Sequence, residues 1–419
     1  MQNILFFVYR LYGGGAERVV SNLSVAFGDQ YQIKIAIYGE QPKSYSHKGE
    51  LIKIKLPFSN DPTGNGRLKR SVRMVVLIFK LKQLKRKHNI DVAISFGEQP
   101  NIINILTRGK RKTILSVRSL LSKEMALYPK MKILGYFIQL LYNKAYQIIV
   151  TSKLAALDLT AHYGVGAGKL KVIYNYINQE EITRLASEPL ESDFQRELFQ
   201  CPVLLNVGRV TPAKGQWLLF RVLVKIKTLH PDYKLVLIGE AETEGNFMDE
   251  LISLAGELGL KVYDGSRGQE KSVNFDVFFL GFMSNPFKFM TRSKVLVFPS
   301  LFEGFPNTIL ESMQCGLPVI SADCHSGPRE IMAPESDLQK RINDMEVTDY
   351  GILCPVIPDG DYKKPITEEI LSAWVNAVDL LANDDELRNR FIHNGYNRVI
   401  EFDKDEILKQ WQSSIESIV

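Results

Sequence analysis

Short apolar runs alternate with amphipathic stretches along the whole 419-residue chain. The runs predict strands at Asn3–Tyr9, Gln32–Tyr38, Val92–Phe96, Lys112–Val117 and Gln147–Thr151 in the first half. In the second half they predict strands at Val203–Val207, Lys234–Ile238, Val277–Leu280, Val295–Phe298, Pro318–Ser321 and Gly351–Cys354. Between most of them the apolar positions fall at helical spacing. Strand and helix thus alternate, the pattern of βαβ units and of parallel sheets covered on both faces. The expected fold class is α/β, with two Rossmann-like, doubly wound parallel-sheet domains in succession. Asn178–Gln200 is polar, rich in acids and contains Pro189, and a fresh strand begins at Val203. The expected organisation is a first domain over 1–185, a second over 186–404, and a C-terminal helix over 405–419 that can pack back on the first. Ligands of such sheets bind outside the carboxyl ends of the strands, so the cleft between the two domains is the expected site.

No run reaches the ~18 uncharged apolar residues that a spanning helix needs. The nearest, Ile133–Val150, is interrupted by Gln139, Asn143 and Lys144. The start, Met1 to Tyr9, has no basic segment before its apolar run and reads as a buried first strand rather than a signal peptide. The expected location is cytoplasmic, with no transmembrane helix. The four cysteines (Cys201, Cys315, Cys324, Cys354) show no CxxC spacing and lie in or beside apolar runs. They read as buried free thiols, and no metal site is expected.

The formal net charge of +5 conceals an asymmetry. Residues 1–185 hold 29 Lys/Arg and 11 Asp/Glu, a balance of +18; residues 186–419 hold 23 and 36, a balance of −13. A split of this size implies different partners for the two halves, and a basic half usually meets anions.

Four segments carry candidate chemistry. Gly13-Gly14-Gly15-Ala16-Glu17 follows the first strand and opens a helix at Ala16. Glycines there let the backbone approach a ligand, and a helix N-terminus favours anions. The segment also reads as a plain βα turn, and it is not the GxGxxG dinucleotide fingerprint. The second is Asn206-Val207-Gly208-Arg209, followed by Thr211 to Gly215 with Lys214. A guanidinium and an ammonium converging at a strand end suit a diphosphate. The third is Phe298 to Ser312, where a Gly/Pro loop bearing Glu303 leads into a helix starting near Asn307. Glu311 falls one turn into that helix, on the same face as Asn307. Two carboxylates so spaced can accept hydrogen bonds from hydroxyls on each side of a diphosphate. The fourth, Ser321 to Ile331, holds Asp323, His325, Gly327 and Arg329. His325 reads as a base, a metal ligand or a loop histidine without catalytic duty.

The string EGFPNTILESMQCGLPVIS, with GGGAE near the start and NVGRVTPAKG midway, resembles the retaining glycosyltransferases of family GT4, over essentially the whole chain. That resemblance implies the GT-B fold, two Rossmann-like domains facing across a cleft. It implies transfer of a sugar from a nucleotide-diphosphate donor with retention of configuration and without a metal. It implies that Glu311 binds the ribose, that Arg209 and Lys214 bind the diphosphate, and that Glu303 contacts the donor sugar. Gly304, Phe305, Pro306, Asn307 and Thr308 would wrap sugar and phosphate, with Gly208 in the diphosphate loop and Gly14 and Gly15 approaching from the other domain. Phe282 matches the region near the nucleobase. The segment Asp323–Ile331 resembles transferases that use hexoses or N-acetylhexosamines as UDP donors. One departure concerns the acceptor side. Many members carry a histidine in the first domain where this chain reads Leu115-Ser116-Val117-Arg118-Ser119, and Arg118 cannot be a general base. Arg118 and Glu17 are candidates for holding a phosphate or the acceptor. No cofactor is expected beyond the nucleotide-sugar co-substrate.

Gly66–His88 holds nine Lys/Arg and no acid, with Met74, Val75, Leu77, Ile78, Leu81 and Leu84 as its apolar side. It reads as a basic amphipathic helix for an anionic membrane surface, or as a core helix with a solvated cationic face. Arg108–Lys112 adds a second basic patch, and Tyr128, Tyr136, Phe137 and Tyr142 interleave with Lys130, Lys132 and Lys144. No nucleic-acid module is recognisable. The acceptor is expected to be a lipid-linked or polysaccharide glycan at the inner membrane face, in polysaccharide, lipopolysaccharide or capsule synthesis. The competing readings are an epimerase or sucrose-synthase-like enzyme on the same scaffold, and a non-catalytic sugar-nucleotide or membrane-binding scaffold. A dehydrogenase is disfavoured because its fingerprint is missing. Tyr263–Asp276 and Pro334–Asp349 have no assigned role.

Overall fold

The computed structural model describes residues 1–12, 14–40, 44–57, 67–127, 132–241, 246–358 and 362–418, without the side chains of 67, 68, 70 and 127. Gly13, Gly66, Tyr128 and Lys130, with the side chains of Arg67 and Arg70, therefore lie outside the described residues. The chain divides into two compact units, Met1–Asn175 with Asp405–Val419, and Tyr176–Lys404. Residues 176–185 belong to the second unit, and the segment 405–419 belongs to the first. Counted by these units, the first holds 29 Lys/Arg and 12 Asp/Glu and the second 23 and 35, so balances of +17 and −12.

The first unit is built on a parallel sheet of seven strands: β1 (Asn3–Phe7), β2 (Gln32–Ile37), β3 (Glu50–Lys53), β4 (Val92–Phe96), β5 (Lys112–Val117), β6 (Gln147–Val150) and β7 (Leu170–Val172). Their order is β3-β2-β1-β4-β5-β6-β7. The helices used below are α1 (Gly15–Phe27), α2 (Arg67–Lys87), α3 (Glu98–Leu106), α4 (Leu121–Leu127), α5 (Lys132–Leu141) and α6 (Lys153–Tyr163). Leu5, Phe7 and Ala93 pack under Leu77, Leu81 and Leu84 of α2 and Ile103 of α3. Farther along the same sheet face, Leu115, Val117, Ile148 and Val150 pack under Ile102 of α3 and Ile138 of α5. On the opposite face Trp411 of the C-terminal helix (Lys404–Glu416) is buried and stacks on Phe96 with ring centroids 6.1 Å apart.

The second unit carries β8 (Val203–Val207), β9 (Lys234–Ile238), β10 (Val262–Asp264), β11 (Val277–Gly281), β12 (Val295–Phe298), β13 (Val319–Ala322), β14 (Glu346–Val347) and β15 (Ile352–Cys354). Their order is β10-β11-β9-β8-β12-β13-β15-β14, parallel except for the antiparallel pair β14–β15. The eleven strands expected from apolar runs are all present, within two residues at each end. Four others, β3, β7, β10 and β14, were not expected, and all four are sheet edges. An edge strand is short and need bury only part of its surface, so it lacks an apolar run. In both sheets the strand order reverses beside the unit's first strand, between β1 and β4 and between β8 and β12. Such switch points are where open α/β sheets bind ligands.

Candidate functional site

In the second unit the loops after β8 and β12 meet at the switch point. Where the two strands part, Asn206 Nδ2 donates to the Val297 carbonyl at 2.8 Å. Buried Gln216 donates to the Arg209 carbonyl at 2.9 Å and so pins the turn that presents Arg209. The Leu301 amide donates to the Ala213 carbonyl at 2.9 Å and joins the two loops. Gly215, at φ +65°, closes the contact: a methyl group there would stand 2.2 Å from the Pro299 carbonyl oxygen. This packing sets Lys214 Nζ 2.5 Å from Glu303 Oε1, with both side chains largely buried. Arg209 is exposed.

Gly304, Phe305 and Pro306 are buried, and Phe305 packs on Phe402 with ring centroids 5.4 Å apart. The helix Asn307–Gln314 follows, and Pro306 gives its first turn no side-chain cap. Its buried Ile309, Leu310 and Met313 hold it to the unit, leaving Asn307, Thr308 and Glu311 half-buried. The loop after β13 supports the Glu303 loop from below. The Ser326 hydroxyl donates to the Gly304 carbonyl at 2.9 Å, and Gly327, at φ +90°, lies so near Pro306 that a methyl would stand 2.3 Å from its Cδ. Burial, reinforced by the Glu303 carboxylate, pushes the Cys324 thiol well up, so it stays protonated. Asp323 and Arg329 form a buried ion pair, and Glu346, from the segment Pro334–Asp349, completes it at 2.9 Å. His325 is half-buried in this loop. Phe282, just past β11, is 68% exposed.

In the first unit, Gly14 is the extended N-cap of α1, and the Glu17 carboxylate folds back against it. Gly15 is the first residue of that helix. Arg118, just past β5, donates through one guanidinium nitrogen to Asn175 Oδ1, while its buried Nη1 has no partner. Burial lowers its pKa, yet a guanidinium keeps its charge at neutral pH. Sequence reasoning missed Glu98, the first residue of α3, which follows β4 and Gly97 at the β1/β4 switch point. An acid two residues beyond a strand's carboxyl end was the signal available. Burial raises its carboxyl pKa to about 8.

The basic face needs two corrections. Lys85 does not point outward: it is fully buried and hydrogen-bonded to α3. Tyr142 is likewise fully buried rather than part of a surface patch. The outer row of α2 is instead Val72, Val75, Phe79, Lys82 and Arg86, with Val75 66% and Phe79 67% exposed, so Val75 is not on the inward side. On α5, Ile133, Tyr136, Phe137 and Leu140 form a second exposed apolar row. Among the described residues no helix is long and apolar enough to cross a membrane.

Two family models match in succession: Glycosyltransferase Family 4 over residues 13–181, and Glycosyl transferases group 1 over residues 201–345. The chain is 31% identical to an uncharacterized glycosyltransferase of Methanocaldococcus jannaschii, over 89% of this chain and 90% of that one. It is 29% identical, over 98% of both, to the N-acetylgalactosamine-N,N'-diacetylbacillosaminyl-diphospho-undecaprenol 4-alpha-N-acetylgalactosaminyltransferase of Campylobacter jejuni. Among solved structures, the Anabaena protein HepE with UDP and glucose superposes with a TM-score of 0.73 at 18% identity, covering 100% of both chains. Sucrose-phosphate synthase of Thermosynechococcus elongatus also superposes with a TM-score of 0.73 at 18% identity. Two parallel sheets with their motif loops at the switch points, and a relative of this identity along most of the chain, make this protein a member of glycosyltransferase family 4 with the GT-B fold.

Proposed function

We propose that the protein is a retaining, metal-independent glycosyltransferase that moves a hexose or N-acetylhexosamine from a UDP-sugar to a lipid-linked or polysaccharide glycan at the inner membrane face. The observation that carries this reading is the Lys214–Glu303 pair at the β8/β12 switch point, beside exposed Arg209 and the start of the helix Asn307–Gln314. Arg209 and Lys214 bind the donor diphosphate, with Gly208 allowing close approach. Gly304 to Thr308 wrap phosphate and sugar, Glu311 accepts from the ribose hydroxyls, and Phe282 faces the base. The Campylobacter relative's diphospho-undecaprenol acceptor and the UDP in the Anabaena structure support these choices.

In the reaction the bond between the anomeric carbon and the β-phosphate oxygen breaks while the acceptor oxygen attacks from the same face. The transition state is oxocarbenium-like, as in glycoside hydrolysis. Negative charge grows on the leaving diphosphate, and in this reading Arg209, Lys214 and the N-terminus of the helix Asn307–Gln314 stabilise it. Donor binding draws Lys214 from Glu303 to phosphate, freeing the carboxylate for the sugar hydroxyls. The acceptor proton leaves with the β-phosphate.

A UDP-sugar at 100 Kd should stabilise the protein by about 2.7 kcal/mol, which identifies the donor in a thermal-shift screen. Replacing each cation should cost about 10²–10³ in kcat, and the Arg209→Ala, Lys214→Ala double variant should lose transfer altogether. Full turnover in that variant would overturn the reading. EDTA should leave the rate unchanged. The α2 and α5 rows should bind vesicles containing anionic lipid at low salt, and Val75→Asp with Phe79→Asp should abolish flotation.

A further inference from the structure

A continuous chain of side-chain hydrogen bonds crosses the first unit, and the donor chemistry makes no use of it. Lys85 Nζ donates to Asn104 Oδ1 at 2.6 Å, and also to the Asn104 carbonyl at 3.2 Å and Thr107 Oγ1 at 2.9 Å. Asn104 Nδ2 donates to Ser95 Oγ at 3.0 Å. The Ser95 hydroxyl donates to Asn101 Oδ1 at 2.7 Å, and Asn101 Nδ2 to the Tyr142 hydroxyl at 3.4 Å. The Tyr142 hydroxyl donates to Glu98 Oε2. Every donor along the path points the same way, from the α2 ammonium to the α3 carboxyl. Hydrogen bonds in series polarise one another, and this direction favours negative charge on Glu98.

The five residues from Lys85 to Tyr142 are fully buried, and Glu98 alone keeps some exposure. Among the described residues the charged or titratable groups that act on it are Glu124 of α4, Tyr142, and Tyr163 of α6 with Asp158 beside it, and none of these is a cation. A carboxyl in such a place is costly for the fold, and groups of this kind cluster at functional sites. It stands where the strand order reverses, just past β4, whose neighbour β1 leads into the segment that holds Gly14 and Glu17.

We propose that Glu98 binds the acceptor: its carboxylate accepts a hydrogen bond from a hydroxyl of the acceptor sugar, and the chain from Lys85 to Tyr142 holds it in place. Glu98 touches substrate; Tyr142 and Lys85 are positioning residues. The inference rests on the glycan-transferase reading above.

The test is initial-rate kinetics of the full-length enzyme with a polyprenyl-diphosphate-linked glycan, as a function of pH. Glu98→Gln should raise the acceptor KM at least tenfold, while the melting shift on adding UDP, which reads the second unit, is retained. In the wild type, 1/KM for the acceptor should rise through pH about 8, and Glu98→Gln should lose that limb. Tyr142→Phe should move the limb to higher pH, since it removes a hydrogen bond that favours the carboxylate. An acceptor KM within twofold of wild type in Glu98→Gln would overturn the proposal. A limb unmoved in Tyr142→Phe would overturn the positioning role. A wild type that transfers to no glycan would sink the transferase reading and this inference together, whereas transfer with an unchanged Glu98→Gln sinks this inference alone.

Discussion

Each unit buries a full-length cationic side chain within its core, and the two treat it oppositely. In the second unit Arg329 has two carboxylates, with Nη2 2.6 Å from Asp323 and 2.9 Å from Glu346. Burial pushes the Asp323 pKa up and the guanidinium offsets it, while the hydrogen bond from Arg329 holds Glu346 below its usual range. In that cluster every buried charge faces an opposite one. In the first unit Lys85 meets only neutral acceptors, and burial lowers its pKa to about 7. A paired buried charge is insensitive to pH and intolerant of losing its partner; an unpaired one titrates. The −12 unit therefore has a fixed interior, and the +17 unit an interior that responds to protons.

The largest break in this comparison is Arg329→Met. It strands two carboxylates and should cost about 3–5 kcal/mol, read by denaturant titration. Next comes the pH dependence. Unfolded, a lysine keeps its proton to about 10.4; folded, Lys85 loses it above about 7. The unfolded chain binds more protons between those values, so stability should rise with pH there, by up to about 1.4 kcal/mol per pH unit. Glu98 works the other way: it holds its proton to about 8 when folded and to about 4.3 when unfolded, so stability falls as pH rises across that window. The two windows meet, and the first unit should be least stable near pH 7–8. Lys85→Met should flatten the alkaline rise and Glu98→Gln the acid-side fall; a monotonic profile in the wild type would contradict the assignment. The smallest effect should be Asp29→Asn, which removes the exposed Lys48–Asp29 pair at 2.7 Å and should change stability by less than about 1 kcal/mol.

The two units also differed in how far their sequences could be read. The donor-side candidates of the second unit are concentrated in two contiguous strings, Asn206–Gly215 and Phe298–Ser312, because one loop after each switch-point strand supplies them. Spacing and residue type within each string mark Arg209, Lys214, Glu303 and Glu311 as candidates, and the family resemblance adds the others. The polar chain of the first unit draws on α2, β4, α3 and the turn at Tyr142, and no local window contains it. The nine cations of Gly66–His88 read as one face, yet Lys85 lies inside. Its position in the apolar periodicity of Leu77, Leu81 and Leu84 is an inward one, and Asn104 and Thr107 supply the acceptors that make this tolerable. Central strands were legible because both faces are covered; the four edge strands were not, because their pairing rather than their own burial defines them.

The return of residues 405–419 to the first unit has a consequence for how the protein is made. Ile407, Trp411 and Ile415 are buried there, and Lys171 donates to Ser414 Oγ at 2.8 Å. During synthesis the first 175 residues leave the ribosome without the helix that stacks Trp411 on Phe96, and they stay so while all of 176–404 is made. The second unit, begun later, has its entire sequence available sooner. The half that starts first finishes last, so nascent chains and C-terminal truncations present the same incomplete species to the cell's folding machinery.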